Sequence, residues 1–459
     1  MFQKVLIANR GAIAVRIERT LRKMGIQSVA VYTEADQDSL HVDYADEAVL
    51  IGKGVAKESY LNMDKILEVA VEKGVDAIHP GYGFLSENAA FARACEELGI
   101  TFIGPAPEQM ELFGLKHTAR NIAEKVGVPI MAGTPLLLDI EDAIMGANSI
   151  GYPVMLKSTA GGGGIGMHIC ENEVELEVAF ESVCHLAQSN FNNSGVFLEK
   201  YIRKARHIEV QIFGNAFGEV VALGERDCSI QRRNQKVLEE CPAPNFPERV
   251  REKMYKTSVE FAKEIGYRNV GTIEFLYDPE TENYYFLEVN TCLQVEHGVT
   301  EEVLGIDLVE MMVKEAANEL VNLHTYAKKP KGHSFQARIY VEDSFHLFQP
   351  SAGKLDRVVL SDLSRNETWV RDELSVTTMY DPMIAKLIVH GNSREEALDK
   401  LSKALMETKF YGIKTNLQYL RKLLAEGQSE ENDFRSSVRI TYEGAGVRTA
   451  NEGLWSEVC

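Results

Sequence analysis

Two glutamates, Glu274 and Glu288, stand seven residues either side of Thr281, inside the apolar-rich runs Val270 to Tyr277 and Tyr284 to Asn290. The segment between them, Asp278-Pro279-Glu280-Thr281-Glu282-Asn283, is rich in turn formers and reads as a hairpin loop. Pairing about Thr281 sets Glu274 opposite Glu288 and Thr272 opposite Asn290, and Glu288 shares a face with Asn290 because side chains alternate along a strand. Facing carboxylates repel each other unless a cation lies between them. Two acids and an amide form an all-oxygen set suited to Mg²⁺ or Mn²⁺ bridged to nucleotide phosphates. The competing reading is a register one residue away, which sends one glutamate to the other face.

A second signal is the run Ala160-Gly161-Gly162-Gly163-Gly164-Ile165-Gly166-Met167, which follows the strand-like Pro153 to Lys157. Successive glycines let backbone N–H groups close around an oxyanion with no side chain in the way. The run fits neither the GxxxxGK[ST] loop nor the GxGxxG fingerprint, and by itself it fits a flexible surface hairpin equally well. Lys116 and Lys157 supply charges suited to a polyphosphate. Directly after the hairpin comes Gln294-Val295-Glu296-His297, where Glu296 reads either as a general base or as a helix N-terminal charge near Thr300. The polar stretch from Arg226 to Lys236 reads, by composition alone, as an exposed loop.

The elements that must position these residues begin with a βαβ unit. The strand Val5 to Ala8 breaks at Asn9-Arg10-Gly11, then Ile13, Ile17, Leu21 and Met24 recur at helical spacing until Gly25, and Ser28 to Tyr32 is the next strand. A helix over 64–72 leads to a short strand at 76–78 and to the loop HPGYGFLSEN, at the carboxyl end of a parallel sheet where ligands bind. A helix is expected at about 115–126. In Arg206 to Phe213, Ile208, Val210 and Ile212 alternate with His207, Glu209 and Gln211, a strand with one polar face. Asp307 with Glu310 forms a capping box for a helix to about Leu320. Lys328 to Gly332 reads as a linker, Ser334 to Val341 as a strand carrying Gln336 and Arg338 on one face, and Ser393 with Glu396 caps another helix.

The chain has 459 residues, enough for about three domains. Its net charge of −19 disfavours nucleic acid and anionic membrane surfaces as partners. With 45% apolar and 25% charged residues it is an ordinary globular composition, and no 18-residue apolar stretch or leader is evident. The 7 cysteines form no CxxC pair and are expected to be mostly buried small hydrophobes. No HExxH supports a transition-metal site, so any metal is expected to be oxygen-bound. The reading is a cytoplasmic protein.

NRGAIAVRI, HPGYGFLSEN, FIGP, GGGGIGM, ERDCSIQRRNQK, FLEVN and QVEHGVTEE occur in this order, and together they resemble the biotin carboxylase branch of the ATP-grasp enzymes over about residues 1–442. The resemblance implies an α/β chain, α+β overall. It implies a Rossmann-like pre-ATP-grasp domain (1–113), an ATP-grasp domain (114–327, glycine-rich lid about 130–203), a C-terminal biotin carboxylase domain (333–442) and a tail (443–459). It also implies a homodimer. Carried over position by position, ATP contacts fall on Lys116, Lys157, Gly161, Gly162, Gly163, Gly164, Gly166, Met167, Glu199, Lys200, Ile202, His207, Gln231 and Leu276. Metal contacts fall on Glu274, Glu288 and Asn290. The implied reaction activates bicarbonate with ATP as carboxyphosphate and carboxylates biotin on a separate carrier. Glu296 is the implied base, Arg338 stabilises the biotin enolate, Lys236 lies near bicarbonate, and Tyr82 and Gly83 lie near biotin. Gln294, Val295 and position 292 complete the bicarbonate pocket.

Ile165, Asn234 and Gly298 stand where acetyl-CoA carboxylase subunits commonly have Arg, His and Pro, a pattern that resembles urea and guanidine carboxylases. The chain has no Met-Lys dipeptide, so a biotin carrier protein and a carboxyltransferase are expected as separate chains. One departure bears directly on chemistry. The family places an Arg two residues after the metal-site Asn, where it grips bicarbonate with both prongs; here that residue is Cys292. Losing a charge-assisted bond of about 1.5 to 3 kcal/mol weakens binding roughly ten- to a hundredfold or more. Backbone amides near Gln294 and Val295, with Lys236, are candidates to compensate. Two rival readings therefore stand beside biotin carboxylation: an ATP-grasp ligase joining a different acid to an amine, and an inactive nucleotide-binding assembly subunit.

Overall fold

The computed structural model describes residues 1–114, 116–158, 167–191, 195–233 and 235–429. The expected glycine loop, Asn234 and the tail lie outside the described residues, as does the side chain of Lys116.

The chain opens with β1 (Lys4–Ile7), α1 (Gly11–Met24), β2 (Gln27–Thr33), β3 (Glu47–Gly52), β4 (Ala77–His79) and β5 (Thr101–Phe102), which form a parallel sheet in the order β3-β2-β1-β4-β5. Ile13, Ile17 and Leu21 line the buried stripe of α1 and pack with Val5 and Ile7. The helix stops at Gly25, whose φ of 72° lies in the left-handed region that glycine enters without a side-chain clash. The same core continues into Val299, Val303, Leu308 and Val309, so the first sheet shares its packing with helices some 290 residues further along the chain.

A small antiparallel sheet comes next: β6 (Val154–Ser158), β7 (Met167–Cys170) and β8 (Val196–Lys200), in the order β7-β6-β8. Then come β9 (Arg206–Gly214), β10 (Val220–Arg232), β11 (Gln235–Cys241), β12 (Asn269–Asp278), β13 (Asn283–Asn290) and β14 (His333–Tyr340). These six form one sheet with two later strands, Met383–Gly391 and Arg365–Thr368, in the order β13-β12-β9-β10-β11-β14 followed by those two. The sheet therefore runs past the expected linker at Lys328 to Gly332 without interruption.

Local signals in the sequence act as expected at several ends. Asp307 accepts the Glu310 N–H and Ser393 accepts the Glu396 N–H. The helix Leu308–Ala316 ends earlier than expected, and Asn318 takes a positive φ of 56°. One expectation fails: Arg226 to Lys236 is not an exposed loop. β10 carries Arg226 to Arg232 into the sheet, and Arg226, Asp227 and Cys228 are buried. Composition misleads there because each buried charge has a partner: Arg226 pairs with Glu209, and Asp227 with Arg206.

Candidate functional site

Cross-strand register brings the acids together. Glu209 of β9 stands opposite Glu274 of β12, which stands opposite Glu288 of β13; Thr272 faces Asn290. Near the turn the ladder runs Asp278 to Asn283 through Phe275 to Phe286, a register that taken further would set Glu274 against Leu287. A one-residue shift between Glu274 and Phe275 brings Glu288 there instead. The expected opposition is present, and a bulge produces it rather than a turn centred on Thr281.

Cations hold this row of like charges. Lys236 Nζ lies 2.7 Å from Glu209, 3.1 Å from Glu274 and 2.6 Å from Glu296. Arg226 donates to Glu209, to Gln211 Oε1 at 2.7 Å and to Thr300 at 3.0 Å. His207 Nε2 is 2.6 Å from Glu274, and Asn290 Nδ2 donates to the other Glu274 oxygen at 2.8 Å. Burial alone pushes the Glu274 carboxyl up, yet Lys236 and His207 hold it well below the usual range. Burial lowers the His207 imidazole, but Glu274 outweighs it and favours the charged ring. Burial lowers the Lys236 ammonium, and the acids Glu209, Glu274 and Glu296 carry it well above its ordinary value.

Glu296 sits where a loop meets the helix His297–Leu304, at the N-cap position, but its side chain makes no cap bond. It reaches Arg338 instead, at 2.8 Å, while Arg338 also pairs with Glu239. Burial and the Glu209 carboxylate push the Glu296 acid up; Lys236, Arg338 and Arg226 together overcome both and hold it below the usual range. It is thus an ionised carboxylate between two cations. On the same loop Thr291 donates its N–H and hydroxyl to Glu87 at 2.7 and 2.9 Å. Cys292 is 7% exposed, and Gln294 Nε2 donates to its sulfur at 3.7 Å. His297 Nδ1 is 2.7 Å from the Gln294 carbonyl and so is engaged away from the thiol.

Tyr82 and Gly83 occupy the loop after β4. Asn9 at the end of β1 donates to the Pro80 and Tyr82 carbonyls at 2.7 and 2.8 Å. Gly81 there has a φ of 69°, and a Cβ would come within 2.9 Å of Asn9 Nδ2. The Tyr82 ring centroid lies 5.8 Å from Lys386 Nζ, which itself bonds the Val295 carbonyl, so this loop adjoins the Glu296 loop.

The remaining nucleotide-binding candidates divide between the two antiparallel sheets. On the small one, Lys157 of β6 and Arg120 both pair with Glu199 of β8, and Lys200 donates to the Gly151 and Tyr152 carbonyls at 2.7 and 3.1 Å. Met167 is exposed on β7, and Ile202 is half-buried just beyond β8. On the large one, His207 stands opposite Leu276, and Gln231 Nε2 lies 3.0 Å from His207 Nδ1. Glu274, Glu288 and Asn290 offer hard oxygen donors on one patch, which fits a magnesium- or manganese-sized ion. Sequence reasoning passed over Arg226, Glu239, Lys386 and Glu87. A single charge inside an apolar run, as in Met383–Gly391 with its Lys386, was the available signal, because a buried charge needs a partner.

Comparison with known proteins shows the family. Three family models match: biotin carboxylase, N-terminal domain, over residues 1–110; carbamoyl-phosphate synthase L chain, ATP binding domain, over 116–324; and biotin carboxylase C-terminal domain, over 336–438. Together they define an ATP-grasp protein of the biotin carboxylase architecture. A biotin carboxylase of Halalkalibacterium halodurans is 52% identical over 427 residues, spanning 92% of this chain and 94% of that one. The urea amidolyase of Saccharomyces cerevisiae is 49% identical over 96% of this chain, which spans only 24% of that much longer protein. A crystal structure of the biotin carboxylase domain dimer of Hydrogenobacter thermophilus 2-oxoglutarate carboxylase, bound to MgADP, ADP and bicarbonate, superposes with a TM-score of 0.87. It is 44% identical and covers 93% of this chain and 94% of that one. The chain belongs to the biotin carboxylase family.

Proposed function

We propose that this chain carboxylates biotin at the expense of ATP, working on a separate carrier protein as part of a urea- or guanidine-type or an acyl-CoA carboxylase. The observation that carries the reading is Glu296 ionised between Lys236 and Arg338. A bicarbonate entering there competes with Glu296 for the same two cations. As it takes up their charge the carboxylate loses its stabilisation, its basicity rises, and it accepts the bicarbonate proton. The bicarbonate oxygen then attacks the γ-phosphorus, ADP leaves, and carboxyphosphate breaks down to CO₂ and phosphate. The phosphate removes the biotin ureido proton, and the ureido nitrogen bonds to CO₂. Arg338, charged at any working pH and planar, suits the oxyanion of the biotin enolate.

Lys116, Lys157, the Gly161–Gly166 run, Met167, Glu199, Lys200, Ile202, His207, Gln231 and Leu276 are the proposed nucleotide contacts. Glu274, Glu288 and Asn290 are the proposed ligands of a Mg²⁺ or Mn²⁺ ion, which neutralises phosphate charge. Tyr82 and Gly83 face biotin, and Gln294, Val295 and Cys292 line the bicarbonate pocket. The likeness to a dimeric biotin carboxylase domain supports a homodimer. The relatives that are separate biotin carboxylase chains support a separate carrier and carboxyltransferase. Among the described residues no disulfide joins the cysteines, which supports a reducing, cytoplasmic setting, and no helix there is long and apolar enough to cross a membrane.

Cys292 favours one second reading, a ligase that takes a different carboxylic acid. ADP release measured with ATP, magnesium, bicarbonate and free biotin decides: dependence on both bicarbonate and biotin supports biotin carboxylation. ADP release that ignores biotin but follows another acid and an amine defeats it. Cys292→Arg sharpens the test. If bicarbonate is the substrate, the variant lowers the bicarbonate KM about tenfold or more, the worth of one charge-assisted bond.

A further inference from the structure

Lys386 is fully buried in the middle of the strand Met383–Gly391, with Arg338 opposite it on one side and Glu367 on the other. The three charges thus share one face on adjacent strands. Arg338 holds the Glu296 carboxylate at 2.8 Å. Lys386 Nζ pairs with Glu367 at 2.6 Å and donates to the Val295 carbonyl at 2.7 Å. Neighbouring rungs of the sheet therefore hold neighbouring residues of the loop. One residue earlier, the Gln294 carbonyl is held by His297 Nδ1 at 2.7 Å. A carbonyl only accepts, so the imidazole proton sits on Nδ1.

Peptide planarity turns these two anchors into a direction. In a trans peptide the N–H of one residue points opposite to the carbonyl before it. With the Gln294 and Val295 carbonyls drawn toward His297 and Lys386, the N–H groups of Val295 and Glu296 face the other way. Cys292 brings no positive charge to this loop, so fixed backbone donors carry more of an anion's binding. A buried ammonium is costly unless paired, and Glu367 offsets part of that cost here, burial still holding the Lys386 ammonium below its ordinary value.

We infer that Lys386 is a positioning residue, one that fixes the Val295–Glu296 peptide and through it both the backbone donors and the approach of Glu296 to Lys236 and Arg338. The inference rests on the biotin carboxylase reading of this site.

The test uses the full chain, with bicarbonate and ATP KM values for biotin-dependent ADP release and the melting temperature of each variant. Lys386→Met removes the anchor and leaves Glu367 one buried cation short, with only Arg365 and Arg16 beside it. The double variant Lys386→Met with Glu367→Gln removes both charges and restores the melting temperature toward wild type. Both variants are expected to raise the bicarbonate KM about ten- to a hundredfold, the loss of one charge-assisted bond, with the ATP KM within about twofold. A double variant with wild-type bicarbonate KM overturns the inference, as does a rise in both KM values together. A wild-type chain without bicarbonate- and biotin-dependent ADP release defeats the functional reading instead, an outcome distinct from either.

Discussion

Glu296 reaches Lys236 with one oxygen and Arg338 with the other, and neither oxygen caps the helix that begins beside it. A helix-start acid normally gains by satisfying backbone N–H groups, so its diversion to two side-chain cations marks it for chemistry. Glu296→Gln keeps the shape and one acceptor oxygen, turns the other into a donor that faces a cation, and removes the proton acceptor. Its kcat for bicarbonate-dependent ADP release is expected to fall about a hundred- to ten-thousand-fold, with nucleotide affinity by calorimetry within about threefold of wild type. Equal loss of ATP binding would make Glu296 a structural ion instead. The sequence made Glu296 visible because it follows a strand end in a polar run. Glu239, the acid that shares Arg338 with it, stayed hidden inside Gln235–Cys241, where neighbouring residues give no hint that Arg338, 99 positions away, will meet it.

The β12–β13 hairpin illustrates what period-2 patterning settles and what it leaves open. Alternation located both strands and placed Glu288 with Asn290, but opposition to Glu274 depends on an irregularity that no residue type announces. Helix ends were more legible, since capping is local. Asp307 caps Leu308–Ala316 as its spacing with Glu310 implies, whereas the Glu310 carboxylate turns to Lys23 and Lys314. Asp307 also bonds Arg16 and Thr20 of α1 at 2.8 Å each, docking the first sheet's helix onto the later one. Burial pushes its carboxyl up, but Arg16 and the Glu310 N–H bring it down to about 2. Because the folded value lies below the ordinary 3.8, this stability is present above pH 3.8 and is lost as pH falls toward 2. Asp307→Ala loses the cap, about 1 kcal/mol, and unbalances a buried arginine, so a loss of about 2 to 4 kcal/mol is expected from urea unfolding at pH 7. Asp307→Asn keeps the cap acceptor and should cost less; equal losses would mean that the cap contributes nothing and that the ion pair with Arg16 carries the whole effect.

The molecule carries 68 acids against 49 bases, and folding sorts the buried ones by whether a cation meets them. That sorting was not readable from the sequence, because the large sheet joins strands from both sides of the Lys328 to Gly332 segment and so pairs charges far apart in the chain. Asp36, Glu301 and Glu367 are buried and nevertheless stay below the ordinary carboxylate range, each against burial's pull, through Arg10, Arg16 and Lys386 respectively. Glu18 is the contrast. It is 2% exposed on α1, and neither carboxylate oxygen has a hydrogen-bond partner. Burial raises it to about 9, Arg22 offsetting this only in part. The sign comes from proton uptake: between the ordinary 4.5 and about 9 the folded chain keeps a proton that the unfolded chain releases, so stability falls as pH rises through that window. Glu18→Gln cannot titrate and should leave stability nearly unchanged at pH 4.5. By pH 7 it should exceed wild type by about 1 to 3 kcal/mol, growing until about pH 9. Urea midpoints of the two chains across pH 4.5 to 9 provide the measurement. A difference that does not vary with pH would show that Glu18 is ionised in the fold and has found a cation.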